Sequence, residues 1–131
     1  MFSFVKNING KNFPVIVEKP CAAATYEIGD ALRADSSTGY VTKCSGTYVP
    51  EFICAQRVTS AATAGDSLAV NPVVDGQIWE TVFSADGSAL KAGAKVTISS
   101  TANSVTATTT NGVAELLEDG GASGASVLVK F

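Results

Sequence analysis

One small cassette recurs three times along this chain, and it limits the fold more than any other feature. Ile28 to Asp35 runs through Ser36-Ser37-Thr38-Gly39 into Tyr40 to Cys44. Ala64 to Val70 runs through Asp75-Gly76 into Gln77 to Val82, and Ala92 to Ser99 runs through Thr101-Ala102-Asn103 into Ser104 to Ala107. Each copy is a glycine-led strand, a polar turn and a returning β-branched strand, which is the pattern of a hairpin. The leading glycines, Gly29, Gly65 and Gly93, are 36 and then 28 residues apart. That irregular spacing excludes a solenoid and predicts one small barrel or sandwich built from hairpins.

Composition supports an all-β reading. The 131 residues fit a single domain with one modest core. Apolar residues make up 46% and charged residues 16%, and no stretch sustains the 3.6-residue spacing of a long helix. The net charge of −3, with no basic cluster interleaved with aromatics, argues against nucleic acid. Residues 1–20 carry Lys6, Lys11 and Lys19 against Glu18, so a mildly basic segment precedes an acidic body. No apolar run reaches membrane-spanning length, and Met1 to Asn7 lack the apolar core of a signal peptide. The expectation is a chain made in the cytoplasm that does not enter a membrane.

Residues 1–12 read as an extended N-terminal arm, and residues 13–131 as the β domain. Phe2 and Phe4 alternate with Ser3, while Asn7, Asn9, Gly10 and Asn12 break regular pairing. Two aromatics there need a surface to cover them, so the arm is expected to stay free until it meets one. Residues 13–18 are expected as a strand with Pro14 at an edge. The Ala-rich stretch Cys21 to Glu27 reads as a short helix or turn, although such stretches also serve as close-packed extended connections. Val49 to Val58 is the longest strand candidate, with Phe52, Cys54 and Val58 on its inward face. Ser126 to Phe131 reads as a closing strand packed into the sheet.

Little here points to catalysis. The chain has no histidine, which removes the usual Ser-His-Asp and Cys-His arrangements. Asp30, Asp35, Asp66, Asp75 and Glu80 could in principle supply a carboxylate pair, yet Asp30 and Asp66 follow cassette glycines, where a short acceptor satisfies turn amides. Cys21, Cys44 and Cys54 form no metal-binding spacing. Cys44 and Cys54 could face each other across a hairpin, although buried reduced thiols are the reading the residues favour. Trp79, Tyr48, Tyr40 and Tyr26 could make a sugar-stacking platform. Core or subunit-interface aromatics are the simpler reading, with Tyr48 and Trp79 the candidates for an interface. No cofactor or metal is called for.

Leu32 to Val41, then Gly46-Thr47-Tyr48, then Ile53-Cys54-Ala55 resemble the middle of the lambda-type head-decoration proteins of tailed bacteriophages. The Gly-Asp pairs at 29–30 and 65–66 and Gly93-Ala94-Lys95-Val96 are similar to the broader group of capsid cement proteins, whose compact fold is called a β-tulip. The likeness covers residues 13–131, and the chain exceeds the lambda type by a hairpin and tail at 93–131. The resemblance implies a virion protein on the capsid exterior. It would bind the major capsid protein of the expanded head and stabilise that lattice, as a homo-oligomer with a trimer favoured. It also implies an N-terminal arm that reaches onto the capsid through Phe2, Phe4, Val5, Lys6 and Ile8. The alternatives are another virion module, such as a head-fibre base or tail part, or a carbohydrate-binding or adhesion domain.

Overall fold

The computed structural model describes residues 1–8 and 14–131, and among these it contains ten strands and no helix. The cassette repeat is visible in the hydrogen bonds. Glu27 to Asp30, Thr63 to Asp66 and Lys91 to Ala94 are turns closed by an N–H of the last residue donating to the first carbonyl, at 3.1, 2.9 and 3.0 Å. Their third residues, Gly29, Gly65 and Gly93, have φ of 86°, 94° and 89°, close to the roughly +80° of a type II turn. Each glycine N–H then donates to a neighbouring carbonyl, of Cys54, Cys21 and Leu116 in turn, at 2.8 Å. The same three residues donate back to the carbonyls of Asp30, Asp66 and Ala94, at 2.8, 2.9 and 2.9 Å. A strand starts directly after each turn: β3 (Ala31–Ala34), β6 (Ser67–Pro72) and β8 (Lys95–Val96).

The strands form two antiparallel five-stranded sheets stacked as a sandwich. Sheet A has the order β1-β7-β10-β9-β8, and sheet B the order β2-β6-β5-β3-β4. The remaining strands are β1 (Ser3–Asn7), β2 (Val17–Pro20), β4 (Val41–Lys43), β5 (Phe52–Cys54), β7 (Gln77–Val82), β9 (Ala114–Leu116) and β10 (Ser126–Lys130). Sheet B curls until Cys21, just past β2, bridges Val41 of β4. No continuous ladder closes it into a barrel.

Successive side chains on a strand face opposite ways, and sheet B is apolar on both faces. Ala31 and Ile53 enter the core between the sheets, with Trp79, Phe83, Val96, Leu116, Val127 and Val129. Leu32 and Cys54 enter a second core inside the curl, with Val41, Leu68, Val70, Cys21 and Tyr26. Phe52, Cys54 and Val58 do share that inner side, as the sequence pattern indicates.

Four local expectations change. The strand expected over Val49 to Val58 shortens to β5 at Phe52–Cys54, and Val58 sits in a separate bridge to Tyr26. The first cassette is a true hairpin, β3 with β4, but in the second β6 pairs in sheet B and β7 in sheet A. Its polar turn is therefore a corner between layers. Pro72 ends β6, and the corner is held by the Gln77 side chain accepting from the Val74 N–H at 2.9 Å and by the Val73 N–H donating to the Glu51 carbonyl at 2.9 Å. The Ala-rich stretch at 21–27 is not helical. Tyr26 is fully buried there, pairing with Val58 through both backbone groups and donating its hydroxyl to the Ala22 carbonyl at 2.8 Å. The strand expected over 13–18 is β2, an edge strand at 17–20, with Pro14 before it; Phe13 and the boundary between residues 12 and 13 lie outside the described residues.

A Cβ on Gly29 would stand 2.1 Å from Met1 Cγ and 2.9 Å from the Phe2 backbone, whereas one on Gly39, also at positive φ, would meet nothing within 4 Å. Gly39→Ala should therefore cost about 1–2 kcal/mol for the left-handed backbone alone. Gly29→Ala should cost about 2–5 kcal/mol once crowding is added. Urea unfolding of both variants checks this, and equal losses would show that crowding at Gly29 is relieved without cost.

Candidate functional site

Nine large apolar side chains are exposed among the described residues, and six of them lie on segments that border the β6–β7 corner. Ile8, Val15, Ile16, Tyr48, Val49 and Val74 are each 52–67% exposed. Hydrogen bonds tie their segments together. The Ile8 N–H donates to the Gly76 carbonyl at 2.8 Å, and Asn71 Nδ2 donates to the Val15 carbonyl at 3.2 Å. The bond from Val73 to Glu51 sets the 48–51 segment alongside. Tyr48 lies under Arg33, whose guanidinium carbon is 3.7 Å from the ring centroid. Such stacking fixes an exposed aromatic in one orientation.

The residues expected to act as a free arm are divided by the fold. Phe2 is 2% exposed and packs edge-on against Phe131, with ring centroids 5.4 Å apart. Its N–H donates to the Gly29 carbonyl at 3.0 Å. Phe4 packs edge-on against Trp79 at 5.6 Å. The surface that covers both rings is the chain's own body, because β1 pairs with β7 from Ser3↔Glu80 to Asn7↔Gln77. Val5, Lys6 and Ile8 remain exposed. Trp79 is also corrected: it is 1% exposed inside the core, and its Nε1 has no hydrogen-bond partner. Tyr48 is exposed as an interface residue requires.

With Tyr26 and Trp79 both buried and in different cores, the four aromatics make no sugar platform. The carboxylates serve turns. Asp30 Oδ2 accepts from the Glu27 N–H at 2.9 Å and pairs with Lys43 Nζ at 2.9 Å, and Asp66 Oδ2 accepts from the Thr63 N–H at 2.8 Å. Asp35 accepts from the Ser37 hydroxyl and from the Ser37 and Thr38 amides, which hold its carboxyl below the ordinary range. Asp75 and Glu80 are exposed. Among the described residues no three His, Cys, Asp or Glu side chains gather as a metal site, and no helix is long and apolar enough to cross a membrane.

The cysteines are buried and free. Cys44 belongs to the core between the sheets and Cys54 to the core inside the curl, so they lie on opposite faces of sheet B and do not meet across a hairpin. A pocket of about 330 Å³ opens beside Met1, Glu27, Ile28, Arg57 and Asn103. Its charges are already matched, since Arg57 Nε lies 2.7 Å from Glu27 Oε2. No protein-family model matches the chain, and neither does any curated protein. Most of the exposed large apolar side chains among the described residues lie on segments that border the β6–β7 corner, and their signal in the sequence is four separate short apolar runs.

Phe2→Ala should lower stability by about 3–5 kcal/mol, the usual cost of emptying an aromatic site in a core. Urea titration followed by Trp79 fluorescence measures it, and a loss under 1 kcal/mol would mean that β1 is not part of the folded unit. Burial pushes the Cys44 thiol from 9.0 up to about 12, the Cys54 thiol up to about 11, and the Tyr26 hydroxyl from 10.0 up to about 12. The folded chain thus keeps protons that the unfolded chain releases above pH 9. Stability should be independent of these groups below pH 9 and fall steadily towards pH 12. Native thiols should resist a disulfide reagent at pH 8, and rapid labelling of all three would contradict the burial.

Proposed function

We propose that this chain is a viral capsid decoration protein that binds the outside of the mature phage head and stabilises the major capsid lattice. The observation that carries the reading is the apolar corner: a rigid sandwich that leaves six large hydrophobics around one corner is shaped to be covered by protein. The resemblance over Leu32 to Ala55 supplies the kind of assembly. Those residues form one antiparallel unit, β4-β3-β5, with Tyr48 displayed beside it. In this reading the protein is not an enzyme, needs no cofactor, and works as a homo-oligomer with the major capsid protein as partner.

The mechanism is mass action. A protein that binds only the assembled lattice stabilises it by about 2.7 kcal/mol per site at a hundredfold excess over Kd. Expanded heads lacking the protein should release DNA at lower temperature than decorated heads, and adding the protein back should restore them. Equal heat resistance of bare and decorated heads would count against the cement role. Turnover of an ester or glycan that a single Asp or Glu substitution abolishes would overturn the non-catalytic reading.

A further inference from the structure

Two asparagines in the chain are followed by glycine, at Asn9-Gly10 and Asn111-Gly112. The first pair lies outside the described residues, and the second sits on the return into β9. We infer that Asn111 is a self-modification site: it converts to aspartate and isoaspartate by attack of the Gly112 nitrogen, and opening of the loop at 108–113 sets the rate. The inference rests on this loop alone and does not require the decoration reading.

The chemistry needs only water. The Gly112 nitrogen gives up its proton and bonds to Asn111 Cγ, the Cγ–Nδ2 bond breaks, and Nδ2 leaves as ammonia. Water then opens the imide ring. Breaking the new Cγ–N bond yields aspartate, whereas breaking the original main-chain bond yields isoaspartate, whose backbone runs through the former side chain and is one methylene longer. A following glycine favours this route because no side chain shields its nitrogen. Asn111 is exposed, so water reaches it and ammonia escapes.

The closed loop opposes the first step. The Gly112 N–H donates to the Thr109 carbonyl at 3.2 Å, so the attacking nitrogen holds its proton in a bond. On one side the Thr97 N–H donates to the Thr108 carbonyl at 3.0 Å, and on the other the Val113 N–H donates to the Val96 carbonyl at 2.9 Å. Between these clamps Gly112 is pressed against β8: a Cβ there would stand 2.2 Å from the Lys95 carbonyl oxygen and 2.5 Å from the Val96 nitrogen. The peptide joining Asn111 to Gly112 therefore cannot swing towards the Asn111 side chain. Asn111 holds φ at 53°, a left-handed conformation that asparagine tolerates, so the closed form carries little strain.

Conversion accordingly proceeds from the open loop, in proportion to the fraction open. Its effect runs one way. Each conversion adds a negative charge to a chain of net charge −3, and the longer isoaspartate backbone does not fit between the bonds at Thr108 and Val113. Strand β8, two residues long, then loses the bonds that flank its pairing with β9.

Incubating the full chain at pH 8 and 37 °C, in buffer and in guanidinium chloride, and mapping peptide masses over time tests the inference. Replacing the amide by an acid raises the peptide mass, whereas isomerisation at Asp75-Gly76, Asp86-Gly87 or Asp119-Gly120 leaves it unchanged, so the readout is specific to asparagine. In denaturant Asn9 and Asn111 should convert at like rates. In buffer Asn111 should convert more slowly than in denaturant by about tenfold or more, and by the factor that hydrogen exchange gives for protection of the Gly112 amide. Asn111→Asp should abolish the mass gain in its peptide, which also carries Asn103. A slowing of less than about tenfold overturns the inference, as does a rate in buffer faster than the open fraction allows. No conversion in denaturant overturns it too, and so does a mass gain that persists in Asn111→Asp.

Discussion

The paired hydrogen bonds that lock each glycine turn to a neighbouring strand set the rest of the structure. Without them β3, β6 and β8 would have no fixed starting points, and the register of both sheets would be free to slip. Each lock needs a residue at strongly positive φ, which is why glycine opens every cassette. In the first two, the following aspartate adds a side-chain bond back into the turn. The third has Ala94 at that place, and Asp119 from a distant loop accepts from the Ala92 N–H and pairs with Lys91. The same support is thus delivered by a different residue.

Those locks also explain why so small a chain can hold two cores. Strands β3 and β5 are short, yet each places neighbouring residues on both faces: Ala31 and Ile53 outward to sheet A, Leu32 and Cys54 inward to the curl. The sheet is used twice. The cost is a buried carboxylate, Asp30, which is 1% exposed and balanced on one oxygen by Lys43 and the Glu27 amide. Its other oxygen has no partner, a condition that burdens a buried polar group by about 1–3 kcal/mol.

What the sequence conveys here is local chemistry. Glycine turns, the β3–β4 hairpin, the closing strand β10 and the shared face of Phe52, Cys54 and Val58 follow from patterns within a few residues. Pairings between distant segments do not. The turn at Asp75-Gly76 has the composition of a hairpin turn, and nothing near it shows that β6 and β7 join different sheets. Phe2 and Phe4 look uncovered because their partners, Phe131 and Trp79, are far along the chain. The Ala-rich stretch at 22–24 has helical propensity, but burying Tyr26 decides its conformation. The apolar corner is scattered through the sequence for the same reason: the segments that carry Ile8, Ile16, Val49 and Val74 are brought alongside one another only by the order of the strands.

The place of β1 has a consequence for how the protein is made. Sheet B is built from the uninterrupted run β2 to β6, whereas sheet A joins β1 to strands that begin only at Gln77. At roughly 5–20 residues per second, Trp79 leaves the synthesis site about 4–15 s after Phe4. During that interval Phe2 and Phe4 have no ring to pack against, and the inner face of sheet B lacks its covering layer. Strand β1 can be seated only after β7 arrives, so it settles late. The nascent protein passes through a stage in which more apolar surface faces outward than the finished domain ever shows.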